Sequence, residues 1–284
     1  KSPLWHPQAE KLQLEKHVSK YREAAGEIAR EAGALLRTGF GNVGQIEHKG
    51  AIDLVTQFDR DSEALILRRL GEYFPSHAVR GEEGGAHPAA DDNGFEWLVD
   101  PIDGTTNFAH GLPIFAVSIA LLRRGRVIAG AVYDPLRDEL FTAAEDEGST
   151  LNDAPIRVSE NAPLASSLLA TGFPYDVRTN PDNNLDHYAD FALRTRGVRR
   201  PGAAAIDLAW VGCGRLDGFW ELRLNPWDVA AGALIVKEAG GSVTDLRGDD
   251  DWLDPANIVA SNGRIHAEML RVLREKGEAP RPAC

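Results

Sequence analysis

The sequence predicts a mixed α/β (α+β) fold in which helices and sheets pack as layers. An N-terminal segment has the spacing of amphipathic helices, a central segment contains short apolar runs at hairpin-like spacing, and the C-terminal half alternates strand-like with helix-like patterns. Consecutive strands favour an antiparallel sheet covered by helices, whereas alternation favours an α/β layer. For the 284 residues we predict one compact unit with two halves, 1–150 and 151–284.

Two amphipathic helices are predicted before the first large sheet. Apolar residues recur in steps of three and four between Leu14 and Leu35, and glycines follow where a helix commonly ends. A second helical pattern covers Asp61–Phe74 and stops before a proline. Two short strands are predicted between these helices, at Gln45–Lys49 and Asp53–Thr56.

The remaining elements are separated by turn residues. Strands are predicted at Trp97–Val99, Ile114–Leu122, Val127–Tyr133, Glu139–Ala143, Ser167–Thr171, Gly218–Glu221 and Ile258–Ala260. Helices are predicted at Leu185–Arg194, Ala204–Val211, Val229–Glu238 and Arg264–Arg274. The polar, Pro-rich tail from Lys276 is expected to fray.

Charge and composition argue against several classes of function. A net charge of −12 disfavours general nucleic-acid binding, which needs basic surface to displace counterions. No apolar run reaches the roughly 18 residues of a membrane span. Two cysteines do not make a disulfide framework, which favours a reducing, cytoplasmic setting. Zinc, nucleophile-elbow, Walker and dinucleotide motifs are missing from the sequence.

Acidic residues concentrate where a predicted strand ends and a Gly-rich turn begins. Asp100 ends an apolar run, Pro101 is expected to stop the strand, and Asp103 opens an Asp-Gly turn. Two carboxylates so close together repel each other, and a hard divalent cation such as Mg²⁺ relieves that repulsion. Such a cation would also let an acidic protein hold phosphate. The amides of Thr105 and Thr106, if they open a helix, would cradle an anion.

Each acidic motif also has a purely structural interpretation. An Asp-Gly pair usually forms only a turn, and Asp228 would serve as a helix N-cap. The combination of Glu82-Glu83 between glycines, Asp100 after an apolar run and Asp228 before a helix favours a metal site. A helix start tolerates a carboxylate well, so the cap and ligand roles of Asp228 are compatible.

Four motifs together resemble the inositol monophosphatase family. They are Asp53-Leu-Val-Thr-Gln-Phe-Asp59, Gly81-Glu-Glu, Asp100-Pro-Ile-Asp-Gly-Thr-Thr-Asn-Phe and Pro226-Trp-Asp-Val-Ala-Ala-Gly, in family order over nearly the whole chain. The resemblance implies the layered α-β-α-β-α sandwich shared by inositol monophosphatases and fructose-1,6-bisphosphatases. It also implies Mg²⁺-dependent hydrolysis of a small phosphate monoester, lithium inhibition and a homodimer.

The resemblance implies a set of metal ligands. Glu82, Asp100 and the Ile102 carbonyl would hold one Mg²⁺, and Asp100, Asp103 and Asp228 would hold a second. Glu82 with water would hold a weaker third ion. Paired metals can stabilise both the attacking and the leaving oxygen of a phosphate ester, which is a poor electrophile.

The resemblance also implies catalytic and substrate contacts. Thr105 and Asp59 would orient and deprotonate the attacking water, and nearby cations would keep Asp59 ionised. Phosphate would bind at Gly104, Thr105 and Thr106, and the rest of the substrate at Asp103, Gly202, Ala204 and Glu221.

Several of these contacts have alternatives. Glu221 fits either a ligand for substrate hydroxyls or a surface carboxylate at a strand edge. The small residues Gly202 and Ala204 are equally explained by helix packing. Lys49 lies near a family lysine, but its spacing to Asp53 is one residue short of some members, so its role stays open.

Other functions compete with this interpretation. An aspartyl-phosphate phosphatase needs two aspartates two residues apart, whereas Asp100 and Asp103 are three apart with Pro101 between them. A catalytically silent binding or regulatory member would be expected to lack a ligand, and the ligand residues are all present. Within the family, Gly-Thr-Thr-Asn-Phe and Glu221 favour an inositol-phosphate-like polyol. The alternatives are fructose 1,6-bisphosphate first, then histidinol phosphate, 3′-phosphoadenosine phosphates and NADP.

Overall fold

The computed structural model has five layers in the order α-β-α-β-α, as predicted. It describes residues 7–41, 46–48, 54–89 and 94–275. Lys49 and the predicted tail from Lys276 lie outside the described residues. Among those described, no helix combines the length and apolar character needed to cross a bilayer.

The first layer consists of α1 (Pro7–Gly39) and α2 (Gln57–Tyr73), which pack on one face of the large sheet. Helix α2 begins four residues earlier than predicted, because Thr56 caps it. The Thr56 hydroxyl accepts a hydrogen bond from the Phe58 amide (3.1 Å), and Asp59 accepts one from the Thr56 amide (2.7 Å). A small hairpin of β1 (Ile46–His48) and β2 (Leu54–Thr56) precedes α2.

The second layer is an eight-stranded sheet in the order β10-β9-β8-β7-β6-β5-β3-β4. Its strands are β3 (Ala78–Gly81), β4 (Ala86–His87), β5 (Phe95–Asp103), β6 (Ala116–Arg123), β7 (Arg126–Asp134), β8 (Glu139–Ala144), β9 (Gly148–Leu151) and β10 (Ala154–Pro155). The prediction of an antiparallel sheet is wrong for one pair, because β3 runs parallel to β5.

Strand β5 also departs from the prediction at its end. Pro101 does not stop it: pairing with β6 continues from Asp100↔Ser118 to Asp103↔Ala116 across a register shift. The shift accommodates the missing amide of Pro101 and turns the strand locally. Five-residue helix α3 (Thr105–Ala109) follows directly.

The middle layer is formed by α5 (Ala204–Gly212) and α6 (Pro226–Glu238), which lie between the two sheets. One hydrophobic cluster joins Leu98 of the large sheet, Ala209 and Ile235 of these helices, and Phe219 of the small sheet. Helices buried on all sides are expected to be apolar all round, and eight of the nine residues of α5 are buried.

The small sheet and an outer helix pair complete the fold. Its order is β12-β11-β13-β15-β14, with β11 (Leu168–Thr171), β12 (Gly197–Arg199), β13 (Gly218–Leu224), β14 (Ser242–Thr244) and β15 (Ala256–Ser261). Helices α4 (Leu185–Arg194) and α7 (His266–Arg274) contact each other, and α4 also contacts β12 whereas α7 contacts β15. A 3₁₀ turn lies at Leu164–Ser166. The sequence prediction missed eight short elements, namely β3, β4, β9, β10, β12, β14, α3 and the 3₁₀ turn.

Candidate active site

An acidic cavity of about 540 Å³ lies where the large sheet, the middle helices and the small sheet meet. Nine of its lining residues are charged, six of them acidic and three basic: Glu82, Asp100, Asp103, Asp207, Glu221, Asp228, Arg178, Arg200 and Arg223.

Every residue predicted for metal, phosphate or substrate binding lines this cavity, and the structure therefore brings together side chains and backbone from both halves. Asp59 does not line it but lies directly behind Thr105, which does.

The end of β5 supplies two of the buried carboxylates of the cavity, Asp100 and Asp103. Asp100 is 2% exposed, and one of its oxygens accepts a hydrogen bond from the Ile102 amide (3.0 Å). Burial raises the pKa of Asp100 well above its ordinary value, and the charges of Glu82, Asp103 and Asp228 raise it further. Four carboxyl groups of the cavity are therefore close enough to repel one another.

Asp103 connects the end of β5 to the start of α5. Its two oxygens accept hydrogen bonds from the amides of Ala204 (3.0 Å) and Ala205 (2.8 Å), which are unpaired donors at a helix start. Burial raises the pKa of Asp103 to about 7, although these amides act in the opposite direction. The Ala204 amide, predicted to contact substrate, is thus already bound to Asp103.

The Gly-Thr-Thr turn after Asp103 has a conformation that requires its glycine. Gly104 has φ of 94°, and a β-carbon there would lie 3.1 Å from the Ile114 carbonyl oxygen. Asn107 fixes the short helix that follows, because its side-chain amide donates to the carbonyls of Ile114 and Pro201, each at 2.8 Å. Thr105 and Thr106 consequently face the cavity from a rigid turn.

The predicted catalytic pair is in direct contact. The Thr105 hydroxyl lies 2.9 Å from Asp59 Oδ1 and 3.0 Å from the Ile102 carbonyl oxygen. Asp59 Oδ2 accepts from the amide (2.7 Å) and hydroxyl (2.6 Å) of Thr56, so both carboxylate oxygens are oriented. Asp59 is completely buried.

Asp228 occupies the first turn of α6 but does not cap it. The N-cap is Asn225, and Asp228 sits three residues later in a capping box, accepting from the Asn225 amide at 2.8 Å. The structural interpretation of Asp228 as the N-cap is therefore wrong. One oxygen of Asp228 serves the helix start, and its side chain also lines the cavity.

Glu221 is not a surface carboxylate. It lies on the central strand β13, is 7% exposed and lines the cavity. Burial, and then the charge of Asp228, raises the pKa of Glu221 to about 8. A β-carbon on Gly172 would lie 2.1 Å from a Glu221 oxygen, so the carboxylate occupies the space that this glycine leaves open.

Glu63, Gly172 and Asp207 are among the site residues that the sequence prediction missed. Glu63 accepts hydrogen bonds from the amides of Glu83 and Gly85, each at 2.9 Å, and so holds the loop that carries Glu82. Gly172 and Asp207 line the cavity without belonging to any motif considered. The lack of space for a β-carbon at Gly172 and the burial of Asp207 identify these two residues, and the spacing of residues in the sequence indicates neither feature.

The oxygen atoms of the cavity residues suit divalent cations, but the side chains are not arranged as a complete metal-binding site. Hard cations prefer the carboxylate and carbonyl oxygens that line the cavity, and mutual repulsion at Asp100 is what a cation would relieve. Within the part of the chain that the structure describes, no three His, Cys, Asp or Glu side chains are grouped as a metal site. Asp103 and Asp228 instead direct oxygens to backbone amides.

The fold is that of solved inositol monophosphatase structures. The inositol monophosphatase from Anabaena (Nostoc) sp. superposes with a TM-score of 0.83 at 41% identity, covering 92% of this chain and 97% of that one. Residues 17–278 match the sequence model of the inositol monophosphatase family. The chain belongs to the inositol monophosphatase family.

Curated relatives carry two different names. An inositol-1-monophosphatase from Synechocystis sp. is 49% identical over 257 residues, covering 90% of this chain and 89% of the relative. A protein of Pseudomonas aeruginosa named Nus factor SuhB is 44% identical over 253 residues, covering 87% and 93%. Similarity of this extent to an inositol-1-monophosphatase supports a phosphatase.

Proposed function

We propose that this protein is a Mg²⁺-dependent phosphomonoesterase that hydrolyses inositol monophosphate or a similar polyol or sugar phosphate by direct attack of water. The observation that supports it best is the shared cavity of Glu82, Asp100, Asp103 and Asp228 beside the Gly-Thr-Thr turn. Fructose 1,6-bisphosphate is the first alternative substrate, followed by histidinol phosphate, 3′-phosphoadenosine phosphates and NADP.

The acidic residues would hold the cations. Glu82, Asp100 and the Ile102 carbonyl form one proposed ligand set, and Asp100, Asp103 and Asp228 form the other. Bound Mg²⁺ supplies positive charge to the phosphate oxygens and makes the attacking water more acidic. Asp103 and Asp228 would keep one helix-start contact each while serving as ligands, since a carboxylate accepts several bonds.

Proton removal is assigned to Thr105 and Asp59. Thr105 lines the cavity and donates its hydroxyl proton to Asp59 Oδ1, so a proton taken from water can pass through the hydroxyl to the carboxylate. Thr56 holds the other oxygen of Asp59, which keeps Oδ1 directed at Thr105. The rigid turn of Gly104, Thr105 and Thr106 would receive the phosphate.

The polyol part of the substrate is assigned to the lining residues Glu221, Gly202, Asp103 and Ala204. Glu221 would accept hydrogen bonds from hydroxyl groups, and Gly202 would allow close approach of its backbone. Asp103 and Ala204 would contribute to polyol binding as a pair, because the Ala204 amide donates a hydrogen bond to Asp103. A polyol phosphate matches such a lining because it combines hydroxyl donors with an anionic group.

A panel of phosphate monoesters assayed with and without Mg²⁺ tests this function. We expect magnesium-dependent phosphate release with the highest kcat/KM for a polyol phosphate, and a loss of at least about 100-fold in Asp228→Asn. Asp217→Asn is the control, because Asp217 is a buried carboxylate that accepts hydrogen bonds from the Ser159 hydroxyl and the Leu168 amide outside the cavity. Unchanged activity in Asp228→Asn contradicts the ligand assignment, and a phospho-enzyme trapped on Asp100 contradicts direct attack of water.

A second candidate function is a Nus factor role, which the name of the Pseudomonas aeruginosa relative suggests. A neighbouring cavity of about 570 Å³, which shares Arg200 with the acidic cavity, favours partner binding, since four arginines line it: Arg137, Arg199, Arg200 and Arg215. This role would be supported if the Asp228→Asn variant restored growth of a strain lacking SuhB and the Arg199→Glu variant did not. Restoration that requires Asp228 would instead tie any such role to hydrolysis.

Lithium inhibition, a homodimer and a cytoplasmic location stay predictions. Inhibition of phosphate release by LiCl, with KCl as the control, tests the first. Light scattering coupled to size-exclusion chromatography tests the second, and fractionation of the source cells tests the third.

A further inference from the structure

Asp207 is a buried acid that the proposed mechanism does not use. It lies in the first turn of α5, is 1% exposed and lines the acidic cavity. Among the described residues, its Oδ1 atom has no hydrogen-bond partner. Buried carboxylates are normally paired, so an unpaired one beside a binding cavity requires an explanation.

Two neighbours of Asp207, namely Glu221 and Asp103, are residues already assigned to the polyol part of the substrate. Burial raises the pKa of Asp207 well above its ordinary value, the charges of Glu221 and Asp103 raise it further, and that of Arg200 lowers it. All three neighbours also line the cavity. Asp207 is therefore close to the carboxylate already assigned to substrate hydroxyls.

We propose that Asp207 is a second hydroxyl-binding acid, which with Glu221 selects polyol phosphates over phosphate esters without hydroxyl groups. A polyol hydroxyl supplies the donor that Oδ1 lacks in the substrate-free protein. Rotation about the last side-chain bond of an aspartate is soft and nearly two-fold, so either oxygen can be turned to the cavity. This inference rests on the proposed function and adds its substrate class.

Asp207→Ala and the closer replacement Asp207→Asn test the proposal with two substrates, inositol 1-phosphate and p-nitrophenyl phosphate. We expect kcat/KM for inositol 1-phosphate to fall about 10- to 100-fold in Asp207→Ala, because a substrate hydroxyl in the buried site loses its hydrogen-bond partner. The value for p-nitrophenyl phosphate should change less than about three-fold, because that ester has no hydroxyl to bind. Equal losses on both substrates, or no loss on either, overturn the proposal.

Thermal unfolding separates recognition from a structural role. Without substrate, Asp207→Ala should keep the wild-type Tm or exceed it, because an unpaired buried carboxylate does not stabilise the fold. The control Asp217→Asn should lower the Tm and leave the ratio of the two kcat/KM values unchanged, since Asp217 is bonded to Ser159 and Leu168. A lower Tm with an unchanged ratio in Asp207→Ala assigns it a structural role and overturns the proposal.

Failure of the proposed phosphatase function can be distinguished from failure of the proposal for Asp207. If the wild type hydrolyses p-nitrophenyl phosphate but no polyol phosphate, the phosphatase assignment stands and the inference on Asp207 is wrong. If it hydrolyses no ester with Mg²⁺, the phosphatase assignment is wrong. In that case the binding of inositol 1-phosphate, measured as a rise in Tm, tests the proposal for Asp207. A rise in the wild type that is absent in Asp207→Ala supports the proposal, and the absence of a rise in the wild type overturns it.

Discussion

The Thr105 hydroxyl donates a hydrogen bond of 2.9 Å to the Asp59 carboxylate, across 46 positions of sequence. Asp59 comes from the first turn of α2 and Thr105 from the turn after β5, so the contact joins the outer helical layer to the cavity. Because the second Asp59 oxygen is held by Thr56, the pair has little freedom to rearrange.

Removal of the Thr105 hydroxyl should disable catalysis while leaving the fold intact. Thr105→Val keeps the shape but removes the group between water and Asp59, and we expect kcat to fall about 10²- to 10⁴-fold. Thr105→Ser retains a hydroxyl and should keep kcat within about ten-fold of wild type. Steady-state assays on both variants check this, and equal activity of Thr105→Val and wild type contradicts the proton path.

A change at Thr56 provides the matching control. Thr56→Ala removes the side-chain cap of α2 and one of the two bonds to Asp59 Oδ2, but leaves the Asp59–Thr105 contact. We expect a loss of about 1 kcal/mol in the free energy of unfolding and a smaller loss of kcat than in Thr105→Val. The reverse order of the two kcat values would show that the cap, and not the proton path, limits the rate.

Gly172 should be intolerant of a side chain because of Glu221. In Gly172→Ala the new β-carbon would lie 2.1 Å from a Glu221 oxygen, so the carboxylate must move. We expect KM for a polyol phosphate to rise several-fold, with a smaller change for p-nitrophenyl phosphate. Gly71→Ala is the control: that glycine is helical with open space around it, and the change should stabilise by roughly 0.5–1 kcal/mol.

Glu63 should affect metal affinity without touching substrate. It holds the loop of Glu82 through the amides of Glu83 and Gly85. Glu63→Ala frees that loop, and we expect the Mg²⁺ concentration for half-maximal activity to rise about 10- to 100-fold. A magnesium titration at saturating substrate measures it, and an unchanged midpoint would show that Glu82 is positioned by other contacts.

The sequence predicts the part of this molecule that has strong local patterns. Helices α1 and α4 and strands β6 to β8 have clear periodicity or apolar runs, and the layered order follows from the family motifs. Short strands such as β3 and β12 were missed, because three or four residues are too few for a period to be recognised. The parallel pairing of β3 depends on tertiary packing and leaves no local signal.

The same limit applies to the site. Motifs indicate Asp100, Asp103 and Asp228, but the Asp103 bonds to the start of α5 span about a hundred positions and depend on the fold. Asp207 was missed for a related reason. Helix α5 is buried on nearly every side, so it has no polar face that would show which residue is directed at the cavity.

The stability of the metal-free protein should fall with rising pH more steeply in the wild type than in Glu221→Gln. Glu221 has a pKa of about 8 in the folded protein, raised by burial from an ordinary value of 4.5. Between these values the folded state retains a proton that the unfolded state has lost, so raising the pH favours unfolding. Glutamine does not ionise, so Glu221→Gln lacks this contribution. Asp103, which titrates near 7, contributes to the pH dependence of stability in both proteins. Urea unfolding in EDTA at about pH 5.5 and 8.5 should show an extra wild-type loss on the order of 3 kcal/mol; parallel changes in the two proteins would mean that Glu221 is ionised throughout.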